Sequence, residues 1–100
     1  MRFEWDEEKN KTNIRKHGFD LADALELFSG DAPLFVTHDS RKDYGEKRWR
    51  GVGLLRGIAV VVVVFTERES DTIRVISLRR ADARERKAYE KEIKNRLGAG

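Results

Sequence analysis

Ile58-Ala59-Val60-Val61-Val62-Val63-Val64-Phe65-Thr66 is the stretch on which the fold turns. β-Branched residues favour a pleated strand. A strand with one wet face alternates apolar and polar residues, but here five valines follow one another. Such a strand is buried on both faces and lies in the middle of a sheet. The apolar run Ile58–Phe65 has eight residues, far fewer than the roughly 20 that a membrane helix needs.

Working outward, Arg56-Gly57 is a candidate two-residue hairpin turn. Glu46–Leu55 before it reads as a strand, in which Gly51 and Gly53 mark a bulge or a close approach. On the other side, Glu67–Asp71 is a polar turn and Thr72–Leu78 another strand. Leu34–Thr37 is a further strand, with His38-Asp39 at its end and a polar loop from Ser40 to Gly45. At the N-terminus, Met1–Trp5 is a short strand with Phe3 and Trp5 on one face.

Asp6 is an N-cap, and Glu7 and Glu8 suit the first turn of a helix that Gly18 closes. That helix, Glu7–His17, lacks an apolar stripe, and Ile14 is its only aliphatic residue. Lys9, Asn13, Lys16 and His17 share one of its faces, a face that suits a phosphate-rich partner. Asp20 caps a second helix, whose core stripe is Leu21, Ala24, Leu25 and Phe28, and which stops at Ser29-Gly30. Ala81–Leu97 is the last helix, polar except for Tyr89, Ile93 and Leu97, with a frayed end over residues 97–100. The order predicts one domain, 1–100, of α+β class. Its sheet is small, twisted and mainly antiparallel, with two N-terminal helices and one C-terminal helix.

Charged and hydrophobic residues are each 39% of the 100 residues, and the hydrophobic ones cluster in blocks, which excludes a disordered chain. No cysteine is present, so there is neither a disulfide framework nor a thiolate metal site. With no apolar signal core or spanning segment, the expectation is a soluble cytoplasmic protein that does not engage a membrane. The net charge is +3 but unevenly spread: residues 41–56 carry six Lys/Arg against two Asp/Glu, and 79–96 carry eight against four. Basic clusters are the electrostatic footprint of phosphate binding.

Arg68, Arg74 and Arg79 are candidates for a phosphate clamp of guanidinium forks. Arg74 and Arg79 have opposite parity on their strand, so they converge only if a bulge or turn redirects one of them. The alternative is ion pairing with Glu67, Glu69, Asp71 and Glu85. Glu46 and Arg48 share a strand face, as a general base beside a cation or as a simple salt pair. His17 and His38 are candidate acid–base groups or ordinary structural histidines. No metal-ligand spacing and no nucleotide-loop pattern is present, so no metal or cofactor is expected. Metal-free RNA cleavage fits this inventory, because RNA carries its own 2′-OH nucleophile. A non-catalytic nucleic-acid- or partner-binding module is the competing reading.

Phe3-Glu4-Trp5-Asp6, Lys9, Asn10, Asn13 and Lys16-His17-Gly18 resemble the opening signature of the BrnT family of type II toxin–antitoxin toxins. The likeness continues through Ala24, Phe28, Glu46-Lys47-Arg48, Gly51-x-Gly53 and Thr66-x-Arg68. It closes with Ile73-Arg74-Val75-Ile76-Ser77, Arg79, Ala81, Glu85-Arg86 and Tyr89. Leu78 departs from the family's Ile-Ser-Ala-Arg pattern. The resemblance implies a RelE-like ribonuclease fold and RNA cleavage that inhibits translation. It also implies a BrnA-like ribbon-helix-helix antitoxin, through which alone the toxin reaches operator DNA. By resemblance the polar pattern is Lys9, Lys16, His17, Glu46, Arg48, Arg68, Arg74, Arg79 and Tyr89. The expectation is catalysis by His17, Glu46, Arg68, Arg79 and Tyr89, and RNA binding by Lys9, Lys16, Arg48 and Arg74.

Overall fold

The valine run forms the middle strand of a five-stranded sheet in a computed structural model that describes residues 1–40 and 45–98. The strands are β1 (Arg2–Glu4), β2 (Phe35–His38), β3 (Trp49–Leu55), β4 (Ala59–Arg68) and β5 (Thr72–Arg80), in the spatial order β1-β5-β4-β3-β2. Val61, Val62 and Val63 have no exposed surface, as burial on both faces demands. The pairings β2–β3, β3–β4 and β4–β5 are antiparallel, but β1 lies parallel to β5, so the sheet is mixed. A parallel neighbour needs a long crossover, and everything between Trp5 and Asp71 supplies it. Residues 41–44 of the expected polar loop, and 99–100 of the expected frayed end, lie outside the described residues.

The helices are α1 (Glu7–His17), α2 (Leu25–Ser29) and α3 (Ala83–Gly98). The single second helix expected from Asp20 is instead a 3₁₀ turn, Leu21–Ala24, running into the short α2. Leu21, Ala24 and Leu27 are its buried residues, a spacing of three that matches the tighter 3₁₀ repeat. They pack on Leu55, Val61, Val63, Phe65, Val75 and Leu78. Phe28 bridges Phe3 and Phe65, with ring centroids 5.4 and 5.0 Å away. Of the two roles open to Gly51 and Gly53, the structure shows close approach. A Cβ at either would lie 3.0 Å from the Leu34 side chain, so the pair forms a slot for that leucine. Arg56 and Gly57 both take positive φ, 54° and 68°, in the turn between β3 and β4. Among the described residues, no helix is long and apolar enough to cross a membrane.

Helix α1 docks through amides instead of aliphatics. Asn10 and Asn13 are its buried residues, each 6% exposed. The Asn10 side chain donates to Asp20 Oδ1 at 2.9 Å and accepts from the Leu21 N–H at 2.8 Å. The Asn13 Nδ2 donates to the carbonyls of Phe19 and Leu78, both at 2.9 Å, and its Oδ1 accepts from the Leu78 N–H at 3.2 Å. β1 pairs with β5 only over Thr72–Arg74, so further along β5 the outer edge has no strand beside it among the described residues. Asn13 serves Leu78 as a neighbouring strand would. This corrects the reading of α1: Asn13 faces the protein, while Lys9, Lys16 and His17 are exposed.

Replacing Asn13 by Leu orphans the two buried main-chain groups of Leu78 and the part-buried Phe19 carbonyl, and a buried orphan costs about 1–3 kcal/mol. Urea denaturation is expected to show Asn13→Leu destabilised by about 3 kcal/mol. Asn13→Asp should also destabilise, because a carboxylate cannot donate to the two carbonyls. A loss below about 1 kcal/mol in the Leu variant would remove Asn13 from this role.

Candidate functional site

The condition set by strand parity is met by a β-bulge. β4 and β5 pair Val64 with Ser77 and then Phe65 with Val75, leaving Ile76 as the extra residue. Beyond it, Arg74 lies opposite Thr66, while Arg79 lies opposite Val62 and Thr72 opposite Arg68. Thr66, Val62 and Arg68 have the same parity on β4, so Arg68, Arg74 and Arg79 share one sheet face. Arg50 joins them, since it pairs with Val64 on the other side of β4. This face lies opposite the one that packs on the 3₁₀ turn and α2. Its far end is covered by α3, whose Tyr89 packs against Phe35 at 5.3 Å between ring centroids.

Carboxylates interleave with the arginines. Glu46 lies 3.7 Å from Arg48 Nε and 3.5 Å from an Arg68 terminal nitrogen. Glu4 of β1 pairs with Arg74, its register partner. Glu85, in the first turn of α3, accepts a two-pronged bond from Arg79 at 2.8 and 2.9 Å and a bond from Arg50 at 3.2 Å. The same carboxylate accepts from the Asp82 N–H at 2.9 Å, while Asp82 Oδ1 accepts from the Glu85 N–H at 2.8 Å. This reciprocal pair is a capping box that starts α3. The Arg79 hydrogen bonds, foremost, hold the Glu85 carboxyl down at about 2, against its own burial.

The structure therefore gathers Glu46, Arg48, Arg68, Arg74 and Arg79 on one face and leaves the other candidates elsewhere. Tyr89 is buried, and its hydroxyl donates to the Pro33 carbonyl at 2.9 Å. Burial pushes the phenol pKa up, and the side chain acts as the anchor of α3. Lys9, Lys16 and His17 are exposed on α1, and no ion pair of the arginine row among the described residues involves them. His38 sits edge-on to Trp49 at 5.6 Å, on β2. Arg50 is the member that sequence reading left out of the cluster, whereas Glu85 is the ion-pair partner already open to the arginines, and its pair with Arg79 realises that alternative. Both had a signal: Arg50 follows Arg48 at strand period two, and Asp82-x-x-Glu85 is a capping pattern.

Arginine forks spaced along a sheet can grip successive phosphates, and a carboxylate among them can accept a proton from a hydroxyl. The family model of the ribonuclease toxin BrnT, of type II toxin–antitoxin systems, matches residues 5–85. The chain belongs to the BrnT family. The crystal structure of the Brucella abortus ribonuclease toxin BrnT is similar to it, with a TM-score of 0.63 at 36% sequence identity. That likeness covers 82% of this chain and 97% of that one. No curated protein matches the chain. The BrnT match spans Glu46 to Arg79 and ends at Glu85, so it takes in the arginine row but not Tyr89. Membership of a type II toxin–antitoxin family implies an antitoxin partner.

The low Glu85 pKa has a pH consequence with a definite sign. A depressed carboxyl stabilises the fold above its ordinary value, 4.5, and that stabilisation is lost as pH falls toward about 2. The melting temperature of the parent is expected to exceed that of Glu85→Gln near pH 6, with the gap closing on acidification through this window. A gap that is unchanged at the acid end would show that the Glu85 charge contributes nothing.

Proposed function

We propose that the chain is a metal-independent endoribonuclease of RelE-like type that inhibits translation in the cytoplasm. In this reading a BrnA-like ribbon-helix-helix antitoxin restrains it, and operator DNA is reached only through that partner. The observation that carries the reading is the bulge at Ile76, which brings Arg68, Arg74 and Arg79 to one face. Family membership supports the reaction class.

RNA brings its own nucleophile, so the protein has to align the 2′-OH with the scissile phosphate, take its proton and hold the developing charge. Arg48 and Arg68 flank Glu46, so a phosphate held by these guanidiniums lies beside a carboxylate able to take the 2′ proton. The 2′-oxygen–phosphorus bond forms as the bond to the 5′-oxygen breaks, and the departing 5′-oxygen takes a proton from water. Arg74 and Arg79 extend the cationic track along β5. Lys9, Lys16 and His17 then lie at its rim, and Tyr89 acts by holding α3.

Purified protein is expected to cleave RNA in the presence of EDTA, and complete loss of cleavage on chelation would overturn metal independence. Glu46→Gln and Arg68→Ala should each slow cleavage about a hundredfold or more, as loss of a general base or of charge stabilisation does. Full activity in both variants would move the chemistry off this face. RNA that is bound but left intact by the parent protein would favour the binding-module reading.

A further inference from the structure

Glu85 sits in a grip built for an oxyanion. Arg79 presents both terminal nitrogens to its two oxygens at 2.8 and 2.9 Å, and Arg50 closes on one of them at 3.2 Å. Guanidinium forks fit phosphate as they fit carboxylate. The grip is also in line with the rest of the row. Arg79, Arg50 and Arg74 stand opposite Val62, Val64 and Thr66, successive same-face positions of β4, which are about 6.6 Å apart along a strand. A cavity of about 700 Å³, lined in part by Phe35, Thr37, Val52 and Ala88, opens beside Arg50 and Glu85. It gives a displaced side chain room to move.

We propose that Arg50 and Arg79 form a phosphate subsite that Glu85 occupies as an internal stand-in, and that an entering RNA phosphate displaces it and breaks the Glu85 half of the α3 capping box. The proposal rests on the reading that the arginine row binds RNA, and it adds a coupling. The Glu85 carboxylate cannot leave the arginines without also giving up its bond from the Asp82 N–H. Loading of the subsite therefore reaches the first turn of α3, next to the Tyr89 anchor. The competing account is a permanent clamp, in which Glu85 holds the two arginines in place and never yields.

The test uses the full chain and a 2′-O-methyl RNA oligonucleotide, which binds but cannot be cut by its own 2′-oxygen. Glu85→Gln is expected to tighten binding by about fivefold or more, as removal of one competing ion pair should. That gain should vanish in the Arg50→Gln/Glu85→Gln double variant. In the parent protein, oligonucleotide binding should speed amide hydrogen exchange at residues 82–85, foremost at the Asp82 N–H that loses its Glu85 acceptor, where a rigid interface would slow it. Unchanged or weaker binding by a folded Glu85→Gln, or added protection of those amides in the parent, would overturn the proposal. The exchange measurement decides even where the variant does not fold. Binding that is weakened by Arg68→Ala but indifferent to Glu85→Gln would sink the subsite alone. No binding at all would sink it together with the reading it rests on.

Discussion

The amide of Asn13 against Leu78 is the interaction on which the rest of the arrangement depends. β1 is three residues long and covers only the start of β5. Beyond it, main-chain donors and acceptors on β5 need partners, because buried groups left unpaired are costly. One side chain meets both groups of Leu78 and also the Phe19 carbonyl. The same contact sets α1 against the sheet without an aliphatic stripe. Its cations are then free to face outward, and the 3₁₀ turn is brought over the core by the neighbouring Asn10 bond to Leu21.

Much of the fold was legible because its signals are local. Five valines with no polar break announce a central strand, and Asp6 and Gly18 bracket α1 as its cap residues do in the structure. The less legible parts depend on relations between elements. Helical periodicity says that Lys9, Asn13, Lys16 and His17 share a face, but with no apolar residue among them it does not say that Asn13 turns inward. Parity along β5 shows that Arg74 and Arg79 need a bulge to converge. No residue in Ile73–Ser77 marks where it falls, because the register is set by pairing with β4. Tyr89 reads equally as a proton donor or as a core residue from its place on α3, and only the Pro33 carbonyl decides between them.

The arginine face also explains how a chain of net charge +3 concentrates cations without repelling itself. Glu46, Glu4 and Glu85 sit among the arginines, so each guanidinium meets a counter-charge before any ligand arrives. Exposed ion pairs such as those of Glu46 and Glu4 contribute about 0–1 kcal/mol, little enough for exchange with a phosphate. Glu85 is the most enclosed of the three carboxylates, at 13% side-chain exposure, against 32% for Glu46 and 45% for Glu4. It is therefore the one whose exchange has a structural consequence.

The parallel pairing of β1 with β5 bears on how the chain acquires this structure. The β3–β4 and β4–β5 pairs are hairpins of neighbouring segments, which close quickly. The Asn13 contact with Leu78 spans 65 residues, and β1 waits on the same distant strand. Long-range closure is entropically costly and slow. On a ribosome the N-terminal segment emerges first, yet β1 has no partner strand until β5 has followed. The arginine row, assembled from β3, β4 and β5, is thus completed only after β5 has been synthesised.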